Sequence, residues 1–202
     1  MLDSTKFKMR FITALTSIVV LVGCVVENPN KLILEKALVD ADSISLLISE
    51  FPADSIFSVR ERLNAAKDEV QWLGAEVDVE FVRADAPIIG KLSTASRYLK
   101  DAPQRLSGLK KESERCIYQI NGLIEIIVSG ATNDSKGDTI NDAYITENTS
   151  REIEAVKLLE EAYTETERLF RLGLKADAEH WASIDSLITD KRGEWARSIA
   201  EE

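Results

Sequence analysis

The chain has 202 residues, 45% hydrophobic and 30% charged, which fits one domain or at most two small ones with a real core. Nine glycines, four prolines and an aromatic content of 6% favour long uninterrupted helices over sheets. The formal net charge of −10 disfavours nucleic-acid binding, and binding to anionic lipid by charge alone, because both surfaces are negative.

The N-terminus has the pattern of a secretory leader. Lys6, Lys8 and Arg10 precede an uncharged stretch over 11–22. As a helix that stretch would span about 18 Å, well short of the roughly 30 Å hydrocarbon core of a bilayer. We therefore interpret residues 1–23 as a cleaved signal peptide, and leave open whether Met1 or Met9 is the start.

The leader ends in Leu21-Val22-Gly23-Cys24, which resembles the lipobox of bacterial lipoproteins. The resemblance implies a diacylglyceryl group on the sulfur of Cys24 and cleavage before that residue. Only a thiol supplies the nucleophile for the thioether, and a small Gly23 gives the peptidase access to the bond. The alternatives are an ordinary secretory signal in which Cys24 is incidental, or a buried N-terminal helix.

A lipidated Cys24 implies permanent membrane attachment, since each buried methylene contributes about 0.8 kcal/mol and a lipoprotein carries two or three acyl chains, such as palmitate. In enterobacterial lipoproteins an aspartate next to the cysteine resembles an inner-membrane retention signal. Residues 25–27 contain no aspartate. The resemblance therefore favours the outer membrane, facing the periplasm, or the outer face of the plasma membrane in a host with one membrane.

Residues 24–30 are predicted to be a tether and 31–202 a single helical domain. The first helical segment, 31–51, carries apolar residues at steps of three or four: Leu34, Leu38, Ala41, Ile44, Ile48 and Phe51. Pro52 then predicts a break or a sharp kink, because proline removes a helical hydrogen bond and clashes with the preceding turn.

The second segment, 54–83, has the spacing of a coiled-coil seam: Ile56, Val59, Leu63, Ala66, Val70, Leu73 and Val77. Residues 77–81 alternate with period two, so a short extended stretch is the alternative to the helical end that we expect. Asp85-Ala86-Pro87 predicts a turn.

The third segment has a stripe that passes Pro103 in phase and so predicts a kink there: Ile89, Leu92, Ser96, Leu99, Pro103, Leu106, Leu109, Ser113, Cys116, Ile120, Leu123 and Ile127. Residues 130–138 are small and polar and predict a loop.

The last segment is expected to begin between Thr139 and Thr149, with Asp138 as its cap or Thr149 and Glu152 as a capping box. Gly173 and Gly193 should weaken this helix by about 1 kcal/mol each. Its predicted stripe is Ile153, Val156, Tyr163, Phe170, Leu174, Trp181, Ile184, Ile188, Trp195 and Ile199.

These segments predict an all-α fold, an elongated antiparallel bundle of three long helices of roughly 65 Å with the first one kinked or broken at Pro52. If Pro52 instead reverses the chain, the result is a four-helix bundle with a short first helix.

No catalytic, cofactor or metal site is predicted. If Cys24 is lipidated, Cys116 has no partner and is expected to be a small buried residue. His180, the only histidine, follows Asp177 by three positions, but a di-iron bundle needs two such pairs and two further glutamates, so we expect a surface histidine. The 130–138 loop fails the calcium-loop pattern, because Ala143 falls where a glutamate is required.

The favoured function is a non-enzymatic, lipid-anchored envelope lipoprotein with a structural or protein-binding role, whose partner is another envelope protein. The apolar cluster over 123–128 is either a partner surface or a buried helix end. The alternative is a small-ligand binder or an enzyme with a site of scattered Asp, Glu, Arg and Tyr. A concave pocket with converging carboxylates of raised pKa would favour that alternative.

Overall fold

The computed structural model describes residues 28–134 and 136–201; Cys24 and the predicted signal peptide lie outside them. These residues form five helices and no strand: α1 (Pro29–Ser49), α2 (Ala53–Ala75), α3 (Ala86–Leu99), α4 (Ala102–Ser129) and α5 (Asp142–Ala200). The predicted all-α class is therefore confirmed. None of these helices combines the length and apolar character that a membrane span requires.

The helix count differs from the expected three long helices. Lys100 and Asp101 separate α3 from α4, and Pro103 lies in the first turn of α4. If α3 and α4 are counted as one bent helix, the described residues contain four helices, the number in the alternative prediction. The longest is α5, whose 59 residues span about 88 Å, more than the expected rod length.

The start of α1 lies earlier than predicted. Asn28 caps the helix by accepting a hydrogen bond from the backbone nitrogen of Asn30 at 2.9 Å, and Pro29 stands in the first turn. Proline suits that position because its missing N–H would have no helical partner there. The end of the predicted tether therefore belongs to the folded domain.

The buried residues form two cores along α5. The first core joins α1, α4 and the early part of α5: Leu34, Ala37, Ala41, Ile44, Ile48, Leu109, Cys116, Ile120, Leu123, Val156 and Leu159. The second core joins α2, α3, the start of α4 and the later part of α5: Ile56, Leu63, Ala66, Leu92, Ala95, Leu99, Ala102, Phe170, Ile184 and Ile188. Most predicted stripe residues of α1 to α4 are thus confirmed in the cores.

Contacts with α5 give the direction of α1 and α2. They advance along α5 together with the chain: Phe51 on Tyr163 and Phe170 (ring centroids 5.4 and 5.2 Å), Arg62 on Asp177 (2.5 Å), and Trp72 on Trp195 (ring centroids 4.8 Å). α2 therefore runs in the direction of α5. α1 runs the same way, because it packs in the first core with Val156 and Leu159, whereas Phe51, just after its end, contacts residues further along α5. The first turn of α1 thus lies at the same end as the beginning of α5.

Two residues of the stripe predicted for α5 are exposed to solvent. Ile153 is 39% and Ile199 is 55% exposed. Ile199 lies one turn beyond Trp195, which packs on Trp72 near the end of α2. Near the start of α5, the positions facing the first core are Val156 and Leu159.

The connector between α2 and α3 corrects the prediction of a helix to residue 83. α2 ends at Ala75, and residues 78–82 are neither helical nor paired with a strand in the described part of the chain. Asp78 has a positive φ of 56°, which a helix does not allow. The carbonyl of Glu80 accepts a hydrogen bond at 2.8 Å from Nζ of Lys191, a lysine that is only 6% exposed. A distant side chain thus holds this segment in place.

Candidate functional site

The loop between α4 and α5 is confirmed, but its capping residue differs from those predicted. Gly130 ends α4 in the left-handed conformation at φ 64°. Asn141 caps α5, accepting a hydrogen bond from the backbone nitrogen of Tyr144 at 2.9 Å. Asp138 and the Thr149–Glu152 capping box are therefore wrong as caps. Because α5 begins at Asp142, within the predicted range, Thr149 and Glu152 lie inside the helix.

A cleft of about 530 Å³ lies between the end of α4, this loop and the beginning of α5. One wall is formed by residues four apart on α5, which share a helix face: Tyr144, Asn148 and Glu152. The facing wall of α4 includes Gln119, Gly122 and Ile126. The volume lies within the range of small-molecule sites.

Asp134 fixes the loop at the mouth of this cleft. Its carboxylate accepts hydrogen bonds from the backbone nitrogens of Asp138 and Lys136, both at 2.9 Å, and from the Tyr144 hydroxyl at 3.4 Å. The backbone donors, that of Asp138 first, hold the pKa of Asp134 below its usual value. Burial and the neighbouring Asp134 raise the pKa of Tyr144. The loop is therefore pre-organised by its own carboxylate.

Glu152 is the unusual group of the cleft. Its Oε2 is buried and has no hydrogen-bond partner among the described residues. Burial raises the pKa of Glu152; the positive charge of Arg115 opposes that shift and the negative charge of Glu112 adds to it. Arg115 is already bonded to the carboxylate of Glu112 and to the side-chain oxygen of Gln119, so neither bond satisfies Glu152.

Of the residues singled out from the sequence, Cys24 lies outside the described residues and Cys116 is buried as expected. Burial raises the pKa of the Cys116 thiol, which keeps it protonated and unreactive. His180 is half-buried rather than on the surface, and Asp177 pairs with Arg62. Within the described ranges no three His, Cys, Asp or Glu side chains are placed to share a metal ion.

The outer face of α1 carries an apolar stripe that the sequence analysis missed. Leu32, Val39 and Leu46 recur every seven residues and are 51%, 62% and 62% exposed. This is the spacing of a coiled-coil position, so α1 presents one apolar face to the first core and another to solvent. The sequence signal was the second series of leucine and valine beside the buried one.

Most residues of the cluster over 123–128 are buried or half-buried. Leu123 is 5% exposed, and Ile124 and Ile127 pack against the first core, whereas Val128 is 67% exposed. The buried helix end therefore describes this cluster better than a partner surface.

No family model, curated protein or solved structure matches the chain.

Proposed function

We propose that this chain is a lipid-anchored lipoprotein of the bacterial envelope whose helical domain binds another envelope protein. The anchor is Cys24, the last residue of the sequence that resembles a lipobox. From Cys24 to Asn28 the chain reaches at most about 14 Å. An acylated Cys24 would therefore hold the first turn of α1 close to the bilayer.

The anchor would also orient the domain. The membrane-side end is the one where α1 and α5 begin, and the Trp72–Trp195 pair lies towards the other end of α5. We infer that the two cores stack along α5 as a rod three helices thick, with the first of the three expected helices broken at Pro52. Such a rod suits a spacer or an adaptor held at the membrane.

The exposed stripe of Leu32, Val39 and Leu46 is the observation that carries the protein-binding role. Large apolar side chains aligned along one helix face are costly to leave in water, and their seven-residue spacing fits a helix of a partner. The helix that bears them is the one that follows Cys24 directly, so the partner is expected beside the membrane.

The anchor is tested by Cys24→Ser. We expect the unaltered protein to take up a palmitate analogue, to stay in the membrane fraction at high salt, and to yield an N-terminal peptide that begins with acylated Cys24. Cys24→Ser should lose all three properties, while Cys116→Ser, the matched control, keeps them. Continued processing and membrane retention of Cys24→Ser would contradict the anchor.

The partner surface is tested by photo-crosslinking in intact cells. A crosslinking amino acid at Val39 or Leu46 should give a discrete adduct with one envelope protein, because these side chains lie at the proposed contact. The same amino acid at Glu161, which is exposed on α5, should give none. Equal adducts from all three positions, or none from any, would reject the stripe as the binding surface.

The cleft between α4 and α5 favours a second candidate function, the binding of a small ligand. Two carboxylates, those of Glu152 and Asp134, line this cleft. Burial raises the pKa of Glu152. The pKa of Asp134 is instead lowered, so one of the two carboxylates has the raised pKa that supports the small-ligand alternative.

A further inference from the structure

We propose that the cleft between α4 and α5 binds a small aliphatic amine, with the Glu152 carboxylate as the counter-ion of its ammonium group. This inference goes beyond the protein-binding role and does not depend on the anchor at Cys24, because every group it uses belongs to the described domain.

One oxygen of Glu152, Oε2, is buried without a hydrogen-bond partner among the described residues. A buried acceptor without a donor is destabilising, and a ligand that donates to it relieves that cost. Arg115, which influences Glu152 electrostatically, is bonded to Glu112 and Gln119. Glu152 lines the cleft, so an ammonium group bound there would meet a carboxylate whose Oε2 has no donor among the described residues.

The side chains that line the cleft carry a net negative charge. Glu152 and Asp134 contribute two carboxylates, and Lys136 is the one cation among the side chains that line the cleft. An anionic ligand would be repelled, whereas an ammonium group would meet charge-assisted acceptors. The side-chain nitrogen of Asn148 donates to the carbonyl of Tyr144 at 2.8 Å, so its oxygen remains as a further acceptor.

The wall of the cleft that α4 forms is open and partly apolar. A Cβ added to Gly122 would meet nothing within 4 Å, so this wall of the cleft is open. Leu123 and Ile126 flank that opening with aliphatic surface. Open space beside apolar walls and a carboxylate fits a chain of a few methylenes that ends in an ammonium group.

The test is calorimetric titration of the full chain, purified in detergent, with three probes of the same length. We expect saturable binding of 1,5-diaminopentane and none of pentane-1,5-diol or glutarate. Equal binding of the diol would remove the role of charge, and binding of glutarate would reverse the assigned sign. No saturable binding of the diamine would overturn the proposal.

Three variants separate this site from attraction of a cation to an acidic protein. Glu152→Gln should weaken diamine binding at least tenfold while the thermal midpoint is kept, since the amide has the same shape without the charge. Gly122→Leu should abolish binding by filling the cleft. Gly90→Leu, at an equally open helical glycine of α3, should leave it unchanged. Diamine binding that survives both Glu152→Gln and Gly122→Leu would show that the cleft is not the site.

Discussion

Gly173→Ala is expected to lower the free energy of unfolding by about 2 kcal/mol, although alanine is the better helix former. A Cβ at Gly173 on α5 would fall well inside van der Waals contact with Cγ and Cδ2 of Leu99 on α3. Leu99 is fully buried and is surrounded by the other residues of the second core. The helices must therefore separate or Leu99 must leave its rotamer, and both cost packing energy. Urea denaturation of the two proteins measures the difference.

Gly193 is the matched control for Gly173, because it lies on the same helix. A Cβ there would meet only the mobile end of Arg197, at 3.6 Å. Gly193→Ala should therefore raise the free energy of unfolding, by up to about 1 kcal/mol. Leu99→Ala combined with Gly173→Ala should cost less than the sum of the two single changes, because the first makes room for the second. Equal gains in stability from both glycine substitutions would refute the close contact.

Gly173 also illustrates where sequence reasoning stops. From the sequence it could only be judged by helix propensity, which marks it as a weak point of α5. Its role depends on Leu99, which the fold brings to it from another helix. The periodic positions of α1 to α4 could be predicted because the residues of each stripe lie on consecutive turns of one helix. Even the polar Ser96 and Ser113 are buried, as their positions in the stripe predicted.

The predictions that failed rested on local sequence patterns, and other contacts in the fold determine the structure at those positions. Thr149 and Glu152 have the spacing of a capping box, but Asn141 provides the cap earlier in the chain. The hydrophobic seam of α2 continues to Val77, but the hydrogen bond from Lys191 to the Glu80 carbonyl belongs to a non-helical connector. Neither the Asn141 cap nor the hydrogen bond from Lys191 could be predicted from the spacing of the residues alone.

The cleft could be anticipated only in part. Tyr144, Asn148 and Glu152 at steps of four do indicate one polar face on α5. That this face meets an opening at Gly122, and that Glu152 finds no donor there, depends on how α4 and the loop lie against α5. Polar residues at helical spacing are common, so the unpartnered oxygen is the feature that distinguishes a candidate site from a solvated face.

Arg62→Met is expected to lower the free energy of unfolding by about 2 kcal/mol. Asp177 on α5 is only 5% exposed, and its Oδ2 lies 2.5 Å from Nη2 of Arg62 on α2. The Oδ1 has no hydrogen-bond partner among the described residues, so Arg62 is the counter-ion on which this carboxylate depends. Removing one partner of a fully buried pair costs about 3–5 kcal/mol, and the partial exposure of Arg62 reduces that figure. Thermal and urea denaturation measure the loss.

The cause of that loss is tested by removing the second charge as well. Arg62→Met with Asp177→Leu should recover most of the stability, because no unpaired carboxylate is then left in the interface between α2 and α5.

Arg192→Met is the control on the same two helices. Its partner Glu69 is less buried than Asp177, and Arg192 itself is 55% exposed, so this change should cost no more than about 1 kcal/mol. If the double variant is as unstable as Arg62→Met alone, the loss comes instead from the packing of the Arg62 guanidinium over the ring of Trp181, which lie 4.2 Å apart. The double variant thus distinguishes a lost ion pair from a lost contact.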